Sequence, residues 1–159
     1  MSNPIRVRAC ALVIQDDAVL LVEFQDEYGL HYNLPAGGVE PGESVKEAVQ
    51  REAREEVSVE VEVGPLAFVY EYAPHLNDHK YGKAPHGLSL MFDCTLKEGA
   101  VPKLSDKPDE NQTGAKWIPI RELDNIVLYP NIKEQIKGYA QDRKRNIDMI
   151  EEHQLEEQA

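Results

Sequence analysis

Residues 37–59 read GGVEPGESVKEAVQREAREEVSV, and this stretch decides how the rest of the chain is read. Its first part packs three glycines and a proline into Gly37 to Gly42. Such a run predicts a tight loop with no regular element over Ala36 to Glu43. Ser44 then offers an N-cap, and Glu47 three residues later completes a capping box. A helix is expected from Val45 to about Val57. Along it, Glu52, Glu55 and Glu56 stand at i, i+3 and i+4, within about 100° of arc, so their carboxylates converge. Val45 and Val49 share the face of Glu52 and Glu56, which turns those acids toward the core.

Like charges at this spacing repel by a few tenths of a kcal/mol even in water, and burial raises the cost. Three acids on a core-facing stripe therefore call for a cation or shared protons. Hard oxygen ligands, with no His or Cys among them, favour Mg²⁺, with Mn²⁺ as the alternative. A glycine loop feeding such a helix suits metal-bridged phosphate chemistry, because its backbone carbonyls ligate metals and its amides meet phosphate. Arg51, with Glu47 and Glu55 four residues to either side, is placed to brace the carboxylates. A Glu-rich helix is more often a solvated face. Here the joint spacing of Gly37, Glu43, Arg51-Glu52 and Glu55-Glu56 has a chance frequency of about one chain of this length in 10,000.

That spacing resembles the Nudix box, the signature of the Nudix hydrolase family, over 23 of 159 residues. The resemblance implies an α/β/α sandwich around a mixed sheet, with the box as a loop–helix–loop catalytic motif. It implies hydrolysis of a nucleoside diphosphate linked to another moiety. Glu52, Glu55 and Glu56 match the family's metal-binding glutamates, and Ala36 the residue whose carbonyl joins them. Arg51 matches the bracing arginine. Glu43 and Gly37 match supporting positions behind the ligands. The family often takes a further carboxylate, frequently the general base, from a loop outside the box. Glu110 is assigned that role and a place beside the substrate, with Asp109, Asp106 and Glu71 as neighbours or substitutes. Two positions depart from the pattern. Ser58 stands where glycine is usual, at a helix end that calls for positive φ, a cost of about 1 kcal/mol. Ala53 replaces a larger aliphatic residue, which predicts altered helix packing.

Outward from the box, residues 5–14 and Ala18 to Phe24 predict a strand pair turning at Asp16-Asp17. Tyr32 to Leu34 is a short extended piece. Val59 to Val63 and Leu66 to Tyr72 predict strands broken at Gly64-Pro65, followed by strands at Leu88 to Leu96 and Ala115 to Ile118. Strands dominate, so the fold class is α+β. One domain over 1–159 is expected, with a core at about 4–130. An extra C-terminal helix at about 131–155 is predicted from Ile132, Ile136, Tyr139, Ile147 and Ile150 at helical spacing. Its apolar stripe suits packing on its own domain or a homodimer.

The remaining features bound the function. A net charge of −12 argues against a nucleic-acid platform and leaves a small nucleotide that arrives with a metal. No apolar stretch is long enough to span a membrane. Cys10 and Cys94 read as buried thiols, and without a disulfide framework a cytoplasmic location is expected. Arg8 is a candidate phosphate or base contact. His75, His79 and His86 lack a tight metal-ligand pattern and mark a loop beside the pocket. Pro74 falls about where ADP-ribose-specific relatives tend to carry a proline, a slight pointer to that substrate. Trp117 is expected in the core at a turn. The alternative to an enzyme is a nucleotide-binding sensor or interaction module of the same fold. A purely structural domain leaves the three glutamates unexplained.

Overall fold

Alternation along the first strand sets the layers. In the computed structural model, which describes residues 4–143 and 148–158, β1 spans Arg6–Leu12. Ala9 and Ala11, with Val13 just beyond the strand, join one core with Ala48, Val49, Ala53 and Val57 of α1 (Val45–Val57). Cys10 and Leu12 join the opposite core with Ile132, Ile136 and Tyr139, in or next to α2 (Lys133–Gln141). A period of two thus sends neighbouring side chains of one strand into separate cores, and each core is closed by a different helix. This is the sandwich that the box implies.

The strands in chain order are β2 (Ile14–Gln15), β3 (Ala18–Asp26), β4 (Gly29–Asn33), β5 (Ala36–Gly38), β6 (Val61–Tyr72), β7 (Gly87–Leu96), β8 (Gln112–Pro119) and β9 (Asp148–Glu151). One sheet has the order β5-β1-β7-β6-β9 and is mixed. β1–β7 and β6–β9 are parallel, while β1–β5 and β6–β7 are antiparallel. In the second sheet β3 pairs with β2, β4 and β8. Among the described residues no helix is long and apolar enough to cross a membrane. Both cysteines are free and buried, and burial pushes Cys10 up to about 11 and Cys94 up to about 12.

Helix α1 has the predicted span and the predicted capping box. The Ser44 hydroxyl accepts from the Glu47 amide, and the Glu47 carboxylate accepts from the Ser44 amide. Ser58 closes it at φ 60°, ψ 34°, with its N–H donating to the carbonyls of Ala53 and Arg54. The left-handed end expected there is present, held by a residue with a Cβ. Ser58→Gly is expected to raise the unfolding free energy by about 0.5–1 kcal/mol. A denaturation midpoint that moves up at unchanged slope is the readout; an unchanged midpoint would remove the strain assigned to Ser58.

Four expectations are corrected. Ala36 to Gly38 is a strand, because their backbone completes the edge beside β1, with Ala9 opposite Gly37. Gly64-Pro65 does not break the chain: β6 runs through with register shifts between Val63 and Phe68. A Cβ on Gly64 would lie 2.6 Å from the Asp93 carbonyl oxygen, so the glycine permits a close approach of two strands. Trp117 is on β8 and 36% exposed, not in the core. The long C-terminal helix is a short helix followed by a strand. Ile147 lies outside the described residues. Ile150 is buried because its strand pairs with the open edge of β6, opposite Tyr70, satisfying backbone groups a helix would leave unpaired.

Candidate active site

The capping box fixes where α1 begins, and β5 crosses directly above its second turn. As a result Gly37 lies against Glu52. A Cβ built on Gly37 would fall 2.0 Å from Glu52 Oε1 and 2.2 Å from its carboxyl carbon. Only a glycine lets that carboxylate sit there. Glu52 is 8% exposed, Glu56 is partly buried and Glu55 is open to solvent. All three line a cleft of about 580 Å³ with Ala36, Gly37, Arg51, Arg6, Arg8 and Asp109.

Arg51 organises the acids. Its Nε and Nη2 donate to the two oxygens of Glu43 at 3.0 and 2.7 Å. Nη1 donates to Glu52 at 2.7 Å and to Glu55 at 3.2 Å, and Nη2 also reaches the Gly38 carbonyl at 3.0 Å. The fork therefore ties loop, strand and helix together. Its main partner is Glu43, where the sequence pointed to Glu47 and Glu55; Glu47 is occupied by the cap. The Arg51 bond holds the Glu43 carboxyl down at about 2, helped by the Glu40 amide.

Burial pushes Glu56 up to about 7, with Glu52 and Asp109 adding repulsion and Gln112 opposing it through a hydrogen bond. Burial likewise raises Glu52, against the pull of Arg51. Two acids that burial holds above their ordinary range leave a demand for positive charge in this cleft, and Arg51 bonds only one of them, Glu52. The donor set is all oxygen, which fits a hard divalent cation. Among the described residues no three His, Cys, Asp or Glu side chains are already gathered as a ligand cluster. Glu52 and Glu55 turn to Arg51 and Glu56 to Gln112. All three stand on one helix face and line one cleft.

The structure separates two neighbours in the 109–112 turn. The Gln112 amide donates to the Asp109 carbonyl at 3.1 Å, and the Asp109 amide donates to Gln112 Oε1 at 2.9 Å. Asn111 closes the turn at φ 71°. Asp109 consequently lines the cleft, while Glu110 is exposed and outside it. Gln112, 7% exposed, joins this turn to Glu56, and nothing in the sequence marks it, since its partner is 56 residues away. Glu71 is engaged with His86 at 2.8 Å.

Arg8 is in the cleft, as anticipated, and Arg6 stands with it. Among the described residues Arg8 Nε and Asn33 Oδ1 are buried without a hydrogen-bond partner. Both residues, with Arg6, Leu34 and Ala36, also border a second cavity of about 760 Å³. Its walls carry His31, Tyr72, Tyr81 and Tyr129. The rings of His31 and Tyr129 meet at 5.5 Å, Tyr81 and Tyr129 at 6.4 Å, and Tyr72 and Tyr81 at 5.1 Å. The two spaces share this border, with the carboxylates lining the first and the aromatic rings the second.

Comparison with known proteins places this architecture. The family model of the NUDIX domain matches residues 4–141. The nucleoside triphosphatase NudI of Escherichia coli is 33% identical over 124 residues, covering 74% of this chain and 84% of that protein. The human 8-oxo-dGDP phosphatase NUDT18 is 29% identical over 150 residues, covering 89% of this chain but only 43% of its own length. A crystal structure of a NUDIX hydrolase from Nitrosomonas europaea superposes at a TM-score of 0.73 and 20% identity, covering 95% of this chain and 81% of that one.

Proposed function

The chain belongs to the Nudix family of hydrolases, and from that premise we propose that it cleaves a diphosphate linkage in a small nucleotide. The substrate class is a nucleoside diphosphate carrying a further group, either another phosphate or a second moiety. The single cleft lined by Glu52, Glu55 and Glu56, with Arg51 bonded to the first two and with Arg6 and Arg8 shared with an aromatic cavity, carries this reading. Relatives named for nucleoside triphosphate and 8-oxo-dGDP cleavage support the nucleotide part.

The three glutamates, with the Ala36 carbonyl, would hold Mg²⁺ or Mn²⁺. The bound ion would offset phosphate charge and favour water as a nucleophile at neutral pH. Arg51 and Glu43 keep the ligands aimed from behind, and Gly37 leaves the space that Glu52 occupies. Arg6 and Arg8 lie between the carboxylates and the aromatic walls, where a diphosphate would cross from one to the other. Water attacks one phosphorus in line with the P–O bond that breaks, and the leaving phosphate takes that bond's electron pair. Asp109 replaces Glu110 as the carboxylate outside α1 assigned to accept the water's proton, because it alone of the pair borders the cleft. The products are a nucleoside monophosphate with a phosphorylated remainder or pyrophosphate.

The test is phosphate release with Mg²⁺ from a panel of nucleoside triphosphates and diphosphate-linked nucleotides, with phosphatase and pyrophosphatase added in turn to reveal masked products. Turnover of at least one compound, reduced roughly 100-fold in Glu55→Gln, is expected. Turnover that survives Glu55→Gln at more than a tenth of the parent rate would overturn the glutamate assignment. Binding of Mg²⁺ and nucleotide with no turnover would make the chain a sensor.

A further inference from the structure

The family match stops at residue 141, yet the chain returns to the site after it. β9 adds to the open edge of β6 and places Glu152 beneath the aromatic cavity. Glu152 is 2% exposed. Its Oε1 accepts from the Tyr81 hydroxyl and from Lys80 Nζ at 3.1 Å. Lys80 and Tyr81 form one wall of the cavity, and the Tyr81 ring leans on Tyr72 at 5.1 Å.

The tail then runs on to the adjoining part of the lining, where the Tyr129 ring meets that of Tyr81 at 6.4 Å. The Gln158 side chain pairs with both backbone groups of Leu128, accepting from its amide at 3.1 Å and donating to its carbonyl at 2.7 Å. Asn131 Nδ2 donates to the Glu156 carbonyl at 3.0 Å. These bonds bracket Tyr129 and Pro130, which line the cavity from that side. One short segment thus bonds two adjoining stretches of the cavity lining.

We propose that the C-terminal segment 150–158 is a strap that sets recognition of the nucleoside moiety, with Glu152 and Gln158 as positioning residues for the Lys80–Tyr81 and Tyr129–Pro130 walls. It rests on the reading that this cavity takes the nucleoside part. Both donors meet the buried carboxylate at Oε1, while Oε2 has no hydrogen-bond partner among the described residues; Glu152 therefore depends on these two contacts, and it holds them in one arrangement. The side chain of Tyr81 is 39% exposed; within its own loop the Lys80 ammonium lies over its ring at 5.1 Å, and its hydroxyl is bonded to Glu152. Fixing two rings before the ligand arrives removes an ordering cost from binding, and the strap provides that order from outside the family core.

The test compares wild type, Glu152→Ala, Glu152→Gln and Gln158→Ala in two measurements. Hydrogen exchange is expected to speed up over residues 78–86 in Glu152→Ala and over 127–131 in Gln158→Ala, with α1 unchanged. Calorimetric titration with nucleoside 5′-monophosphates and with inorganic triphosphate gives the second readout. Nucleotide affinity is expected to weaken roughly tenfold in both alanine variants while inorganic triphosphate binds as before. Glu152→Gln, which keeps an acceptor for Tyr81, is expected to recover most of the loss. Unchanged exchange, or equal weakening of both ligands, overturns the strap. Wild type that binds nucleotides no better than inorganic triphosphate overturns the cavity reading, and the strap's role with it. Gln158→Ala removes two side-chain bonds to a single residue, Leu128, and no buried charge, so it decides the matter if Glu152→Ala does not fold.

Discussion

Gly37→Ala is expected to lower kcat/KM roughly 100-fold while moving the thermal midpoint by no more than about 3 °C. The new methyl carbon would sit 2.0, 2.2 and 2.5 Å from the three terminal atoms of Glu52, far inside contact distance. Those atoms end a flexible side chain, so relief comes from rotating the carboxylate away. Neither β5 nor α1 must move, which keeps the fold. The rotation breaks the 2.7 Å bond to Arg51 and takes Glu52 out of the face it shares with Glu55 and Glu56. A shift of about 1 Å in a group that positions reacting atoms costs far more in rate than in stability. Gly64 shows the opposite geometry: its missing Cβ faces a backbone carbonyl, which has no rotamer to escape into. Steady-state kinetics and a melting curve on the same preparation decide the matter. Activity within tenfold of wild type would mean that Glu52 reaches its role without that space. A large fall in midpoint would mean that the glycine is structural.

The same site shows what a sequence can and cannot disclose. Ser44, Glu47 and the three glutamates interact within one or two helical turns, so their spacing is their geometry, and α1 was legible from end to end. Ser58 was legible too, because a helix terminus demands a local backbone state. Gln112 and Asp109 were not. Their place depends on a turn whose partner, Glu56, lies 56 residues from Gln112, and adjacent acids in a polar loop look alike until that turn is formed. β5 was hidden for a different reason. Its three residues have almost no side chains to carry a pattern, and their pairing comes from the edge of β1. The tail misled because Ile136 and Tyr139 do obey helical spacing, and Ile150 falls in step with them by coincidence while its burial comes from strand pairing. Periodicity reports which residues are buried more faithfully than it reports the element that buries them.

Glu56→Gln is expected to abolish measurable hydrolysis and, in metal-free buffer, to make the protein more stable at pH 8. Burial, with Glu52 and Asp109 nearby, raises this carboxyl to about 7 from an ordinary 4.5. The folded state therefore keeps a proton that the unfolded state has released between those values. Where the folded form binds more protons, stability falls as pH rises. Below pH 4.5 the glutamate has no penalty; above pH 7 the penalty is complete. The interval corresponds to about 3 kcal/mol, reduced to about 2 kcal/mol for solvent reaching a partly exposed group. Glutamine does not titrate, and its carbonyl still accepts from Gln112 Nε2. The variant's melting midpoint should thus exceed the parent's by about 4–8 °C at pH 8 and match it near pH 4.5. Mg²⁺ favours the ionised acid, so it should raise the parent's midpoint more at pH 8 than at pH 6, and raise the variant's less. Equal midpoints across the pH range would mean that Glu56 is not strained by burial. A variant less stable at pH 8 would mean that the carboxylate is satisfied within the fold and needs no cation. The predicted pairing of lost activity with gained stability is the signature of a residue kept for chemistry at the expense of the fold.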